Sequence, residues 1–204
     1  MPTPLFPLPN LVLFPGQVLP LYIFEERYRA LLREVQATGQ PFGIVRIMQR
    51  SRDSALPLQG RVSPVGTLAH LAQAETHQDG TSSIVVVGGE RFRVREFDLS
   101  RPFLSAEIDL WPLEQPASEA SDTEARAAQV LAGMLRSWPE QGEQIRAHAP
   151  PEPLALASYA AAILGAMTGG LASDRCNEAL SSGTLLERLE RLLAALPAGQ
   201  QLLN

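Results

Sequence analysis

From Leu5 to Phe24 the apolar positions run almost unbroken but are punctured by proline: Leu5-Phe6-Pro7-Leu8-Pro9, then Leu11-Val12-Leu13-Phe14-Pro15-Gly16, then Val18-Leu19-Pro20-Leu21-Tyr22-Ile23-Phe24. Proline fixes its own φ, donates no hydrogen bond and pushes the preceding residue toward extended geometry, so this pattern predicts short strands separated by turns. Pro15-Gly16 is the sharpest break and predicts a turn. At Phe24 the period changes. Phe24, Tyr28, Leu31, Leu32 and Val35 share one helical stripe, Glu25, Glu26, Arg29, Arg33 and Glu34 face away, and Gly39 ends the helix.

Further along, Val65–Ala72, Ser83–Val87, Arg91–Phe97 and Phe103–Leu110 read as strands, several with alternating apolar and polar residues. His77-Gln78-Asp79-Gly80-Thr81 between the first two is a hairpin loop, because Asp-Gly favours tight turns. Gly88-Gly89 suits a bulge, or a corner where one strand passes between sheets, which argues for a curved, barrel-like sheet.

Near residue 113 the pattern shifts. Leu113 to Thr123, rich in Glu, Ser, Ala and Pro, reads as a linker with too little apolar surface to offset its ordering entropy. Helices follow: Val130, Leu131, Met134, Leu135 and Trp138 make one apolar face, and Leu185, Leu186, Leu189, Leu192, Leu193 and Leu196 another. Ser121 with Glu124, and Thr184 with Glu187, have capping-box spacing, and Pro139 and Pro197 end the two helices. Leu154 to Ala172 carries no charge and approaches a membrane span in length. Its many alanines and the Gly169-Gly170 break favour a buried central helix packed by its neighbours. The organisation expected is a β-rich domain over 1–112, a linker over 113–123 and a helical subdomain over 124–204.

These motifs carry a resemblance. Pro4-Leu5-Phe6-Pro7-Leu8, Leu13-Phe14-Pro15-Gly16, Pro20-Leu21 and Ile23-Phe24-Glu25-x-Arg27-Tyr28 are similar to the opening of the Lon protease N-terminal, substrate-binding domain. Phe42-Gly43-Ile44-Val45, Val65-Gly66-Thr67-Leu68-Ala69 and Gly89-Glu90-Arg91-Phe92-Arg93-Val94 resemble that domain's later strands, in the family's order. The specific motifs cover about residues 4–112, and the C-terminal third resembles the family in its pattern of helices. The resemblance implies an α+β fold: a PUA-like pseudo-β-barrel with one packed helix, then a helical subdomain. It also implies a part in recognising substrate proteins.

Composition sharpens what the chain can do. A chain of 204 residues folded as one body would bury about 70% of its unfolded surface, ample for a core without disulfides or metal. None of the 17 basic residues is a lysine and the net charge is −5, which argues against duplex DNA or an anionic membrane as a partner. A single cysteine, Cys176, and no signal-peptide pattern fit a reducing cytoplasm.

The missing lysine also restricts the chemistry. Without it there is no P-loop lysine and no serine–lysine dyad, so the ATPase and peptidase activities of full Lon proteases do not transfer with the resemblance. There is no Gly-x-Ser-x-Gly elbow, and His70, His77 and His148 are scattered without metal-ligand spacing. Neither a catalytic residue, a metal nor a cofactor is indicated.

What remains is binding. Phe6, Phe14, Tyr22, Phe24 and Tyr28 form a cluster of aromatics that either fills a core or grips unfolded peptide, and Phe14 and Tyr22 are the candidate contacts from it. Arg91, Arg93 and Arg95 alternate along one strand and project from one face. They could hold an acidic group, or pair with acids such as Glu107 or Asp109 on neighbouring strands. The function expected is a non-catalytic module that binds unfolded or exposed protein segments, an adaptor to an ATP-dependent protease being one form of that role. Two rivals are an RNA-binding module of PUA-like fold, with the arginine strand as its only basic feature, and an uncharacterised enzyme using acids such as Glu25, Glu26 or Asp79.

Overall fold

In a computed structural model the described residues are 2–49 and 55–197; residues 198–204 of the expected helical part lie outside them. The chain divides into two compact units, Met1–Pro112 and Leu113–Asn204.

The first unit holds strands β1 (Thr3–Leu8), β2 (Val18–Ile23), β3 (Phe42–Ile47), β4 (Val62–Thr76), β5 (Ser82–Asp98) and β6 (Ser105–Leu110), with helix α1 (Glu26–Thr38) between β2 and β3. The sheet order is β2-β5-β4-β3-β1-β6, and a further β5–β6 pairing closes five of the strands into a barrel. Only β1–β3 is parallel.

Both faces of this sheet are covered, which is why β1 and β3 are apolar almost throughout and do not alternate. Leu5, Val45, Leu68, Phe92 and Ala106 fill one cluster, while Phe6, Ile44, Ala69, Ile84 and Val86 pack on the other side with Tyr28, Leu31, Leu32 and Val35 of α1. Gly43 and Gly66 are required there: a Cβ on either would come within 2.6 Å of the Phe92 ring. Phe24 departs from the expected helical stripe. The N-cap is Glu25, with extended angles, so Phe24 precedes the helix and is 59% exposed.

Two turns read from sequence take the geometry their residues dictate. Phe14-Pro15-Gly16-Gln17 is a tight turn with Gly16 at φ 80° and the Gln17 N–H donating to the Phe14 carbonyl at 3.2 Å. At the hairpin, Gly80 has φ 78° and the Asp79 carboxylate accepts from the Thr81 N–H at 2.9 Å. The expected strands Ser83–Val87 and Arg91–Phe97 are one strand, β5. Gly88-Gly89 does not end it but bends it, with a register shift against β4 between Thr67 and Ala69. The bend lets the first half of β5 pair with β2 and the second half with β6.

The second unit contains α2 (Ala120–Ser137), α3 (Gly142–His148), α4 (Pro153–Met167), α5 (Ser173–Leu180) and α6 (Leu185–Ala195). Here α4 packs against α2, α5 and α6, and its buried side is Leu156, Ala157, Ala160, Ala161 and Leu164. Among the described residues no helix is long and apolar enough to cross a membrane.

The stretch read as a linker carries structure. A short 3-10 turn spans Ala117–Glu119, and Glu114 bridges to Thr184 through bonds with the backbone of Gly183 and Leu185. That turn starts α2 early, which places Ser121 inside the first helical turn, so the Ser121–Glu124 capping box does not form. The Thr184–Glu187 box does: the Thr184 hydroxyl accepts from the Glu187 N–H.

Candidate functional site

Among the described residues strand β2 is bonded to a neighbour on one side only, β5. Its side chains alternate. Leu19, Leu21 and Ile23 turn toward the core, while Val18, Pro20 and Tyr22 are exposed, Val18 at 67% and Tyr22 at 54%. Registration with β5 and β4 puts Val18 beside Val87 and His70, Pro20 beside Val85 and Gln73, and Tyr22 beside Ser83 and Glu75. Around this surface Pro20, Tyr22, Ser83, Val85 and Gln73 line an open groove of about 770 Å³. Among the described residues Glu75 is the one charged residue lining the groove.

Tyr22 is held in place. Its hydroxyl donates to Thr81 Oγ1 at 2.8 Å, and the Thr81 hydroxyl donates to the Asp79 carboxylate at 2.6 Å. The bonds from the Thr81 hydroxyl and N–H hold the Asp79 carboxyl below its ordinary value. The Phe24 ring stacks beside Tyr22 with centroids 6.3 Å apart, and the His77 ring centroid lies 6.1 Å from that of Tyr22. His77 Nε2 is 2.8 Å from the Ser83 hydroxyl. Three rings thus gather at the end of a strip of valine and proline, two of them strongly exposed.

The remaining candidates lie elsewhere. Phe14 is fully buried at the turn before β2, where its carbonyl faces Gly88 so closely that a Cβ there would sit 2.2 Å from the oxygen. Phe6 and Tyr28 pack on each other inside the first unit, 4.3 Å between centroids. Arg91 is 3% exposed and donates Nε to the Trp111 carbonyl at 2.7 Å and Nη2 to the Pro112 carbonyl at 3.2 Å. Its guanidinium lies 3.9 Å from the Trp111 ring centroid, and that of Arg93 lies 3.4 Å from the same ring. Arg95 stands at a bulge, with Asp109 3.6 Å away.

Of this candidate surface the sequence singles out Tyr22, and not Val18, Val85 or Val87. For Val18 the signal was available: Pro20 inside an apolar strand marks an edge, and a strand whose two faces are both apolar while only one meets the core exposes the other.

The family described as the ATP-dependent protease La (LON) substrate-binding domain matches residues 2–196. The chain belongs to the Lon substrate-binding domain family. The Lon protease of Azospirillum brasilense is 27% identical over 201 residues, 94% of this chain and 23% of that protein. That of Porphyromonas gingivalis is 32% identical over 109 residues, 53% of this chain and 13% of that protein. The chain thus spans a quarter or less of these relatives.

Two solved structures share the fold of this Lon domain. The N-terminal domain of Mycobacterium avium complex Lon protease superposes with a TM-score of 0.66 at 22% identity, covering 96% of this chain and 98% of that one. A Lon N-terminal domain protein from Xanthomonas campestris superposes with a TM-score of 0.62 at 24% identity, covering 97% and 99%. The likeness therefore extends through the helical part as well as the β-rich motifs.

Proposed function

We propose that this Lon-family domain is a non-catalytic polypeptide-binding module that captures exposed apolar stretches of unfolded proteins on the outer face of β2. The observation that carries this is the Val18, Pro20, Tyr22 and Phe24 surface, apolar and open in a family described by its binding of protease substrates. Burying such surface is favourable by about 25 cal/mol per Å², and ordering a flexible chain cancels much of it. Affinity is accordingly expected to be weak, with Kd at about 10 μM or above, and tolerant of client sequence.

Delivery of those clients to an ATP-dependent protease is the role supported by the family's description as the substrate-binding domain of such a protease. Titration calorimetry with a reduced, carboxymethylated model polypeptide tests the binding reading. Saturable heat with the unfolded form and none with its native form supports it, and no heat with either contradicts it. Co-precipitation with a purified Lon-type protease tests the adaptor role separately.

A further inference from the structure

The groups on the open side of β2 can be assigned. The Gly88 N–H donates to the Gln17 carbonyl at 2.8 Å, so position 17 bonds toward β5. In an antiparallel ladder this alternates, and Leu19, Leu21 and Ile23 also bond toward β5. Val18, Pro20 and Tyr22 then aim their backbone groups at the open side. Pro20, which has no N–H to give, stands where a sheet tolerates proline. Among the described residues no hydrogen bond reaches the backbone of Val18, Pro20 or Tyr22 on that side. The open edge offers the N–H groups of Val18 and Tyr22 and the carbonyls of Val18, Pro20 and Tyr22.

Folded proteins blunt such edges with charge and with proline; Val18-Leu19-Pro20-Leu21-Tyr22-Ile23 contains no charged residue and one proline, which leaves the N–H groups of Val18 and Tyr22 on either side of it open. The side chains flanking the open groups are the exposed apolar ones, so one extended chain would meet both together. A second copy fits less well, because antiparallel pairing of two β2 strands about Pro20 sets two residues lacking an N–H opposite each other.

We infer that the occupant is an extended segment of an unfolded polypeptide, apolar at alternate residues, which adds to the sheet as a strand beside β2 through main-chain hydrogen bonds. This rests on the polypeptide-binding reading above and specifies its mode. Main-chain recognition explains how one small surface would accept many client sequences, since every chain carries the same N–H and C=O groups.

The test uses the full chain and a fluorescein-labelled peptide of alternating valine and threonine with a terminal arginine at each end. Two isomers are compared with it, N-methylated at the odd or at the even residues, which keeps side chains but removes the N–H groups of one edge of the peptide. Strand addition predicts that the parent binds and that at least one isomer loses about tenfold or more in affinity. Val18→Pro, which removes one open N–H and no core side chain, is expected to weaken the parent by about tenfold. Circular dichroism reports whether that variant folds, and the isomers decide the matter if it does not.

Equal binding by the parent and both isomers overturns strand addition while leaving apolar capture intact. So does failure to bind the parent by a protein that still captures unfolded polypeptide. Failure with both the parent and unfolded polypeptide overturns the binding reading as well. A dimer in sedimentation velocity that Val18→Pro dissociates would assign the edge to a second copy instead.

Discussion

Val18 and Phe14 stand four positions apart and are both apolar, yet the fold gives them opposite duties. Phe14 is sealed at the turn that meets Gly88, so Phe14→Ala is expected to cost about 3–5 kcal/mol in urea denaturation, the range for a lost core aromatic. Val18 is two-thirds exposed, and Val18→Asp is expected to change stability by no more than about 0.5 kcal/mol while abolishing polypeptide capture in titration. A large loss of stability in the Val18 variant would show that this side chain is structural. Gly88→Ala is expected to destabilise by about 1–3 kcal/mol, because its Cβ would stand 2.2 Å from the Phe14 carbonyl. Thermal melts would read this change.

At the scale of elements, the start of α6 depends on the Thr184–Glu187 box. The Gly183 N–H donates to the Glu187 carboxylate at 2.6 Å, and this bond, with Arg191 nearby, holds that carboxyl below its ordinary value. A carboxyl whose folded value is depressed stabilises the fold above its unfolded value and loses that contribution as pH falls through the folded one. Glu187→Gln should therefore melt earlier than wild type at neutral pH, the two curves converging as pH drops below the ordinary carboxylate range. Parallel curves down to that range would show that the charge contributes nothing.

Elements with strong local signals were legible in the chain: the Pro15-Gly16 turn, the Asp79-Gly80 hairpin, α1, the barrel corner at Gly88-Gly89 and the cap of α6. What was not legible was of two kinds: helix starts reset by the turn or extended residue just ahead of them, and a surface set by neighbours distant in sequence. Ser121–Glu124 has the spacing of a capping box, but the 3-10 turn ahead of it moves the helix start. Phe24 matches the apolar phase of α1, but extended angles at Glu25 cut it from the helix. Of the candidate face, Tyr22 is the residue that the sequence singles out. Its neighbours Val85 and Val87 follow from the register of β2 on β5, which brings them beside Pro20 and Val18 and which no local pattern encodes.

For the whole molecule, every residue of the candidate face lies in Met1–Pro112. A fragment of residues 1–112 that folds by circular dichroism is expected to bind unfolded polypeptide with the affinity of the full chain, within about threefold. Loss of binding by a folded fragment would move the site to the helical unit. Such a result would also break the link between the β2 surface and the family's description as a substrate-binding domain.

Hydrogen exchange of the full chain, with and without saturating unfolded polypeptide, tests the central claim most directly because it reads the backbone of β2 itself. The account predicts that the polypeptide slows exchange of the Val18 and Tyr22 amides and leaves the amides of α2 to α6 unchanged. Protection confined to the helical unit, or unchanged exchange at Val18 and Tyr22 under saturating polypeptide, would contradict it.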